Sequence, residues 1–293
     1  MITRRKFIKS GTLSLGVLSL MGFSQLQKLT DKLPDTEKMP VLFVGHGNPM
    51  NAIIENQFHN TWVDLGKTLQ RPKAILSISA HWITQGETLV SVLQEPETIH
   101  DFGGFPQELF DQQYPAPGAP DFAEAAIEIT RRTHLEPDES WGLDHGTWSV
   151  LKPMFPEADI PVFQISIDYN KPAAFHYELA KELMALRKKG VMILGSGNSV
   201  HNLRMMRQGG QPYDWAVEFD TYIREKAKNR DFEAIVNYEK LGALANMAHP
   251  TVDHLLPLMY SIGLVDDKDE LHTFNEAFDL GSVSMWSFYT KSV

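Results

Sequence analysis

The sequence predicts an α/β fold, a single domain built on a central, largely parallel or mixed sheet with helices on its faces. Short apolar runs of strand length alternate along the chain with segments of helical periodicity. The first two such runs are separated by one helical segment, which implies parallel strands joined by a right-handed crossover. No internal repeat, low-complexity tract or linker divides the 293 residues, and we therefore predict one domain.

The opening elements carry the clearest patterns. The apolar run 39–44 predicts the first strand, and the run 74–80, bounded by Pro72, predicts the second. Between them, Phe58, Trp62 and Leu65 recur at helical spacing and predict a helix over 58–69.

The remaining elements are predicted from the same periodicities and from capping residues. In order, we predict a strand over 89–93, a helix from a cap at Asp121 to about Thr133, a short helix over 149–155 broken at Pro153, a strand over 161–167, a helix over 171–189, a strand over 191–195, helices over 213–228 and 232–247, a helix that Thr251 or Asp253 caps with His254 in its first turn, and closing strands over 271–278 and 281–289. The stretches 98–106 and 114–120 are rich in glycine, proline and aromatic residues, and are predicted to be loops.

Composition excludes several classes of function. The chain has no cysteine, which rules out disulfides, thiolate catalysis and cysteine-ligated metal, and leaves eleven histidines as the obvious metal ligands. The formal charge of −10 argues against nucleic acid or an anionic membrane as a partner.

Residues 1–30 are predicted to lie outside the fold. They contain the twin arginines Arg4 and Arg5, followed by a mostly apolar, uncharged stretch over 11–23 that is too short to span a bilayer comfortably. We interpret the segment as a Tat-type signal, so we expect a periplasmic protein that uses the Tat export machinery and has no stable membrane insertion. The alternative is an N-terminal anchor, and no small-x-small cleavage site stands out.

Histidines follow several of the predicted strands. His46, His81 and His201 each lie within a few residues of a strand's carboxyl end, beside Gly, Ser or Ala. Since ligands bind at the carboxyl ends of strands in open α/β sheets, these histidines are predicted to bind a metal. His254 comes from a predicted helix start instead, and is a weaker candidate on composition alone.

For several other residues, the sequence allows two interpretations of their role. His145, beside Asp144 and Gly146, is either a general acid and base or a histidine that fixes a loop by hydrogen bonds. The pair His100 and Asp101 has the same ambiguity. The neighbouring Phe102 and Phe105 line a pocket or belong to the core. The remaining candidates are predicted to be structural or solvent-facing: His59, His134, His176 and His272.

Several motifs, in this order, resemble the 4,5-DOPA extradiol dioxygenase family, a branch of the class III, LigB-type ring-cleaving dioxygenases. They are GHGNPM at 45–50, SAHW at 79–82, IHDFGGFP at 99–106, YPAPG at 114–118, DHGTW at 144–148, GNSVHN at 197–202 and HLLPL at 254–258. The resemblance implies a single LigB-like catalytic domain over 39–293. It also implies that the enzyme opens the ring of a DOPA-like catechol with O₂.

The same resemblance implies roles for individual residues. One divalent ion, Zn²⁺ or Fe²⁺, would be held by His46, His81, His201 and His254. His145 would transfer protons at the substrate, and His201 could share that role by leaving the metal. The residues expected at the substrate are Trp82, Asp101, Phe102 and Trp148.

Two alternatives use the same residues differently. A zinc hydrolase on this scaffold would activate a metal-bound water, with Asp101 or Asp144 as its general base. An exported metal-binding or ligand-binding protein would bind without turnover.

Overall fold

The computed structural model describes residues 33–209 and 211–292. The predicted signal segment therefore lies outside the described residues. The strands are β1 (Val41–Gly45), β2 (Ala74–Ser79), β3 (Ile83–Thr84), β4 (Thr88–Ser91), β5 (Leu135–Asp138), β6 (Val162–Gln164), β7 (Ile167–Asp168), β8 (Val191–Gly197), β9 (Asp269–Phe274), β10 (Phe278–Asp279), β11 (Val283–Ser284) and β12 (Ser287–Ser292).

Helices and short 3₁₀ turns connect these strands. The α-helices are α1 (Gln57–Thr68), α2 (Gln107–Phe110), α3 (Pro120–Ile129), α4 (His145–Met154), α5 (Ala173–Glu182), α6 (Asp214–Lys228), α7 (Phe232–Val236), α8 (Ala243–Ala248) and α9 (Leu256–Gly263). The 3₁₀ segments are Pro49–Ala52, Leu183–Lys189, Leu203–Met205 and Tyr238–Leu241.

A six-stranded mixed sheet in the order β6-β2-β8-β1-β12-β9 forms the centre of the fold. The strands β6, β2, β8 and β1 are parallel, whereas β12 runs antiparallel to both β1 and β9. The predicted α/β class and central mixed sheet are confirmed. β8 lies between β2 and β1, in the middle of the sheet.

Hydrophobic residues cover both faces of this sheet. On one face, Phe43 and Ile193 pack with apolar residues of α5, α6 and α9. On the other, Leu42 and Leu194 pack with apolar residues of α1 and α4. Successive side chains of β1 and β8 point to opposite faces of the sheet, because an extended strand has a period of two. Since both faces are buried, both sets of side chains are apolar, and these strands are continuous apolar runs in the sequence.

Several predicted helix boundaries differ from the structure. α4 begins at His145 with Asp144 as its N-cap, earlier than predicted, and Pro153 is accommodated in its last turn. α3 begins at Pro120 after Ala119, which places Asp121 in the first turn instead of at the cap. α9 begins at Leu256, so neither Thr251 nor Asp253 caps it and His254 precedes the helix.

Some predicted elements are divided. The segment 171–189 ends in 3₁₀ geometry, and 232–247 is interrupted at Gly242, whose φ of +58° is in the left-handed region. The segment 161–167 forms two strands, as do both predicted closing strands. β3 and β5, which pair with β7 and β4, were not predicted because two to four residues carry no periodic signal.

Among the residues described, no helix has both the length and the apolar character needed to cross a membrane.

Candidate metal centre

The end of β8 holds the segments that carry three of the histidines. The backbone N–H of His46 donates to the Gly197 carbonyl at 3.1 Å, and that of Ala80, next to His81, donates to the Ser196 carbonyl at 3.0 Å. The N–H of Asn198 donates in turn to the His254 carbonyl at 2.8 Å. Gly197 permits this approach, because a Cβ there would lie 2.2 Å from the carbonyl oxygen of His254.

The rings of His46, His81 and His254 form a nearly equilateral triangle. Their centroids are 5.1 Å apart for His46 and His81, 5.2 Å for His46 and His254, and 5.1 Å for His81 and His254. The Nε2 atoms of His46 and His81 are 3.2 Å apart. Two nitrogens that each lie about 2.1 Å from one ion are about 3.0–3.4 Å apart in octahedral or tetrahedral geometry. The spacing therefore fits two ligands of one metal ion.

In each of these three histidines, Nδ1 faces an oxygen. The Ser196 hydroxyl donates to the Gly146 carbonyl, so it accepts from His46 Nδ1 at 3.0 Å. His81 Nδ1 lies 3.1 Å from Asp101 Oδ2, and His254 Nδ1 contacts Asp253 Oδ2. Such partners hold the proton on Nδ1 and leave the Nε2 lone pair for a metal, as is usual for histidine ligands.

Burial favours the neutral form of two of these imidazoles, those of His46 and His254. It lowers the pKa of His46 and of His254 well below the ordinary value, and the neighbouring histidines lower both further. Because a metal binds the neutral ring, the protein supplies ligands in the required protonation state.

Asp101 links His81 to His145. Its Oδ2 lies 3.1 Å from His81 Nδ1 and 3.0 Å from His145 Nδ1. Its Oδ1 accepts from the backbone N–H of His145 at 2.9 Å. Burial by itself raises the pKa of Asp101, but the contacts with His145 and His81 outweigh burial and hold that pKa well below its usual value.

His145 lies at the first position of α4, beside the triangle. Its ring centroid is 3.8 Å from that of His81 and 5.7 Å from that of His46. Burial lowers the pKa of His145, while Asp101 opposes that shift. A neutral histidine next to candidate metal ligands can accept a proton from a bound substrate.

His201 lies against His254: one ligand atom from each of His201, His254 and Asp253 lies within 4.8 Å of the others, whereas His46 and His81 form such a group with His145. Its ring stacks on His254 with centroids 3.5 Å apart and planes 9° apart. Its backbone is held by a bridge to Val283 and by a hydrogen bond to the Ala248 carbonyl. The structure thus brings His201 to the same cavity as the triangle but against one face of it.

The histidines open into a cavity of about 420 Å³. Phe102, Gly103 and Phe105 form part of its wall, so the predicted pocket residues Asp101 and Phe102 do line it. A further part consists of Leu203, Met206, Asp279, Leu280 and Val283.

Trp82 and Trp148, which were expected at the substrate, lie elsewhere. Trp82 is buried and stacks on Trp141 with planes 2° apart. Trp148 is fully buried behind Phe102 and donates to the Ile99 carbonyl at 2.9 Å. Neither lines the cavity, so the expectation that they lie at the substrate is corrected: the aromatic side chains of the lining are those of Phe102 and Phe105.

Sequence reasoning missed the residues that orient the histidines. Ser196 is not among the predicted site residues, and Asp253 is predicted only as a helix cap. Asp144 was a candidate base, but it is buried and accepts from Ser79, Trp141 and Gln164 side chains instead of facing the cavity. For Asp253, adjacency to His254 was an available signal.

A family model described as the catalytic LigB subunit of aromatic ring-opening dioxygenase matches residues 40–286. The chain belongs to this family. It is therefore a metal-dependent enzyme that opens aromatic rings, and this membership supports neither the hydrolase nor the non-catalytic alternative.

Individual relatives agree with this family assignment. The chain is 44% identical over 265 residues to an Escherichia coli K12 protein named 4,5-DOPA dioxygenase extradiol, covering 88% of this chain and 96% of that one. A Beta vulgaris protein of the same name is 34% identical over 84% of this chain and 94% of its own length. A crystal structure of an uncharacterised E. coli K12 protein matches with a TM-score of 0.75 and 40% identity, covering 86% of this chain and 99% of that one.

Proposed function

We propose that this enzyme opens the ring of a catechol with a DOPA-like side chain, next to the diol, using O₂ and one Fe²⁺ ion. The observation that carries the proposal is the triangle of His46, His81 and His254, whose Nδ1 atoms all face oxygen partners. The names of the relatives support the substrate class.

These residues fit an ion of the proposed kind. The 3.2 Å between the Nε2 atoms of His46 and His81 suits shared coordination, and an all-imidazole set accepts Zn²⁺ as well as Fe²⁺. A catechol could chelate bound Fe²⁺ through both of its oxygens, and the ion would supply the redox chemistry that ring opening by O₂ requires. Zn²⁺ has no redox chemistry, and we therefore propose Fe²⁺ as the active metal.

His145 is the residue that we propose moves the protons. Asp101 faces its Nδ1, so its Nε2 is the nitrogen free to take a proton from a catechol hydroxyl and return it later. Asp101 also accepts from the backbone N–H of His145, which fixes the imidazole at the start of α4. Its carboxylate therefore orients two histidines rather than acting as a base.

His201 is proposed to act at the substrate as a second proton-handling group. It lines the cavity and stacks on His254, outside the triangle of rings. Its predicted role as a fourth ligand stays a prediction, and we limit the proposed metal set to His46, His81 and His254.

Reconstitution with two metals tests the proposed function. Metal-free protein is loaded with Fe²⁺ or Zn²⁺ without oxygen, then mixed with DOPA, caffeate or simple catechols in an oxygen electrode. We expect O₂ uptake and a ring-opened product with Fe²⁺, no uptake with Zn²⁺, and loss of activity in His81→Ala. The exposed His134→Gln is the matched control and is expected to retain activity. Absence of O₂ uptake by the Fe²⁺ form with every catechol would contradict the proposal.

We also propose that residues 1–30 direct export by the Tat machinery, on the basis of Arg4, Arg5 and the short apolar stretch 11–23. Exchanging both arginines for lysine keeps the charge, and is expected to leave the protein in the cytoplasmic fraction. Lys9→Arg serves as the control. Equal export of the double variant would count against a twin-arginine signal.

A further inference from the structure

The cavity contains one carboxylate that the proposed chemistry does not use. Asp279 lines it, and no lysine or arginine of the described chain does so. Asp101, the other acidic lining residue, is already engaged by His81 and His145. A substrate's side chain therefore meets a wall with a single uncommitted charge, and that charge is negative.

Asp279 is half-buried and forms no ion pair with any described residue. Its neighbours along the cavity wall are apolar: Leu203, Met206, Leu280 and Val283. Burial raises the pKa of Asp279, although a hydrogen bond from the Leu280 backbone partly stabilises its charge. The carboxylate is thus poorly solvated. A cation beside it would be attracted more strongly than a cation beside an exposed carboxylate.

Two basic residues adjoin the lining residues Leu203 and Met206 in the chain, but both lie outside the lining. The Arg207 guanidinium is 4.1 Å from the centre of the Tyr213 ring and donates to the Gln211 carbonyl, and Arg204 is exposed. Neither forms an ion pair with Asp279 within the described part of the chain.

Backbone hydrogen bonds fix Asp279 relative to the histidines. In the hairpin of β10 and β11, the Ser282 carbonyl accepts a hydrogen bond from the backbone N–H of Asn202 at 3.2 Å. The Leu280 carbonyl of the same hairpin accepts from the backbone N–H of Arg207 at 2.9 Å. The backbone N–H of Ser284 in β11 donates to the Val200 carbonyl at 3.0 Å. Because the 200–207 segment carries His201, these bonds hold the hairpin against the His201 side of the site.

We propose that Asp279 makes the enzyme prefer catechols whose side chain carries a protonated amine over those whose side chain ends in a carboxylate. The catechol oxygens would lie at the histidine triangle, and the side chain would extend along the wall that includes Asp279. This inference rests on the proposed ring-opening of catechols.

Three catechols that share a two-carbon side-chain stem and differ in its terminal group test this preference: dopamine (cationic), 4-ethylcatechol (neutral) and dihydrocaffeate (anionic). With the Fe²⁺ enzyme we expect kcat/KM to fall in that order, with about a tenfold step from dopamine to 4-ethylcatechol. Dissociation constants measured without O₂ on the Zn²⁺-loaded protein should follow the same order.

Asp279→Asn keeps an oxygen for the Leu280 hydrogen bond and removes only the charge. It is expected to abolish the advantage of dopamine over 4-ethylcatechol, in turnover and in binding. Asp267→Asn removes the same charge from an exposed position and should leave the order intact.

The outcomes separate this inference from the proposed function. Turnover of 4-ethylcatechol without any preference for dopamine, or a preference that survives in Asp279→Asn, overturns the role of Asp279 and leaves ring opening in place. If no catechol is turned over, the proposed function fails, and the Zn²⁺ binding series still decides whether Asp279 selects the amine.

Discussion

Ser196 determines which nitrogen of His46 is available to a metal. Its hydroxyl hydrogen is committed to the Gly146 carbonyl, and it can therefore only accept from His46 Nδ1. This serine lies in β8, opposite Val44 of β1 and Ser79 of β2, where the strands that deliver His46 and His81 meet. A single hydroxyl thus connects a proposed ligand, the central strand and the start of α4.

We expect Ser196→Ala to weaken metal affinity by roughly 10–100-fold, because outer partners of histidine ligands fix the ring and its protonated nitrogen. Competition with a chelator of known affinity measures the change. Ser149→Ala is the control, since the Ser149 hydroxyl is also buried but forms no hydrogen bond with any described residue. Equal affinity of the two variants would show that Ser196 has no orienting role.

Substitution of His145 should have a different effect from substitution of a proposed metal ligand. Because it is proposed to transfer protons and not to hold the ion, His145→Gln is expected to lower kcat by roughly 10²–10⁴-fold while the bound metal content stays unchanged. Steady-state kinetics and metal analysis of the same preparation provide both readouts. Loss of metal from this variant would instead place His145 among the ligands.

At the scale of elements, the start of α4 depends on one buried carboxylate. Asp144 accepts from Ser79 Oγ at 2.6 Å, Gln164 Nε2 at 2.7 Å and Trp141 Nε1 at 3.2 Å, and it caps the helix through the Thr147 N–H. The contacts connect α4 to β2 and β6, so the position of His145 follows from the sheet.

Asp144→Ala is expected to lower the free energy of unfolding by about 2–4 kcal/mol, because it removes a helix cap and leaves buried donors without partners. Asp144→Asn, which keeps one acceptor oxygen, should be affected less. Urea denaturation measures both. Asp121→Ala, in the exposed first turn of α3, is the control and should change stability little. A loss no larger than that of the control would contradict a supporting role for Asp144.

The same elements show what the sequence could and could not predict. Strands β1, β2 and β8 were predictable because burial on both faces makes them continuous apolar runs, and their carboxyl ends located His46 and His81. The start of α9 was misplaced because Thr251 and Asp253 are typical caps that the tertiary structure does not use. Trp82 and Trp148 were misassigned because a tryptophan beside a functional loop has the same local pattern whether it faces the cavity or the core.

At the scale of the whole molecule, a buried ion pair joins distant parts of the chain. Arg187 donates to Asp269 at 2.6 and 2.9 Å, and both side chains are fully buried. Arg187 also donates to the carbonyls of Met39, before β1, and of Leu264, at the end of α9. The pair therefore ties the β9 edge of the sheet to its centre.

This pair makes stability depend on pH in a defined direction. Burial alone raises the pKa of Asp269, but Arg187, the Asp266 N–H and Lys38 outweigh burial and lower that pKa below its ordinary value. A carboxylate with a lowered folded-state pKa stabilises the protein fully above its unfolded pKa of about 3.9. That contribution is lost as pH falls through the folded-state pKa.

We expect Asp269→Asn to lower the free energy of unfolding by about 3–5 kcal/mol at pH 7, since it leaves the buried Arg187 without its counter-charge. The difference in free energy of unfolding between the variant and the unmodified protein should become smaller as pH falls below about 4. Protonation of Asp269 in the unmodified protein then removes the same charge that the substitution removes. Urea titrations at pH 7, 5, 4 and 3 measure the difference, with the exposed Asp267→Asn as the control. A difference that stays constant across this range would mean that packing of the side chain, and not its charge, holds β9 to the rest of the sheet.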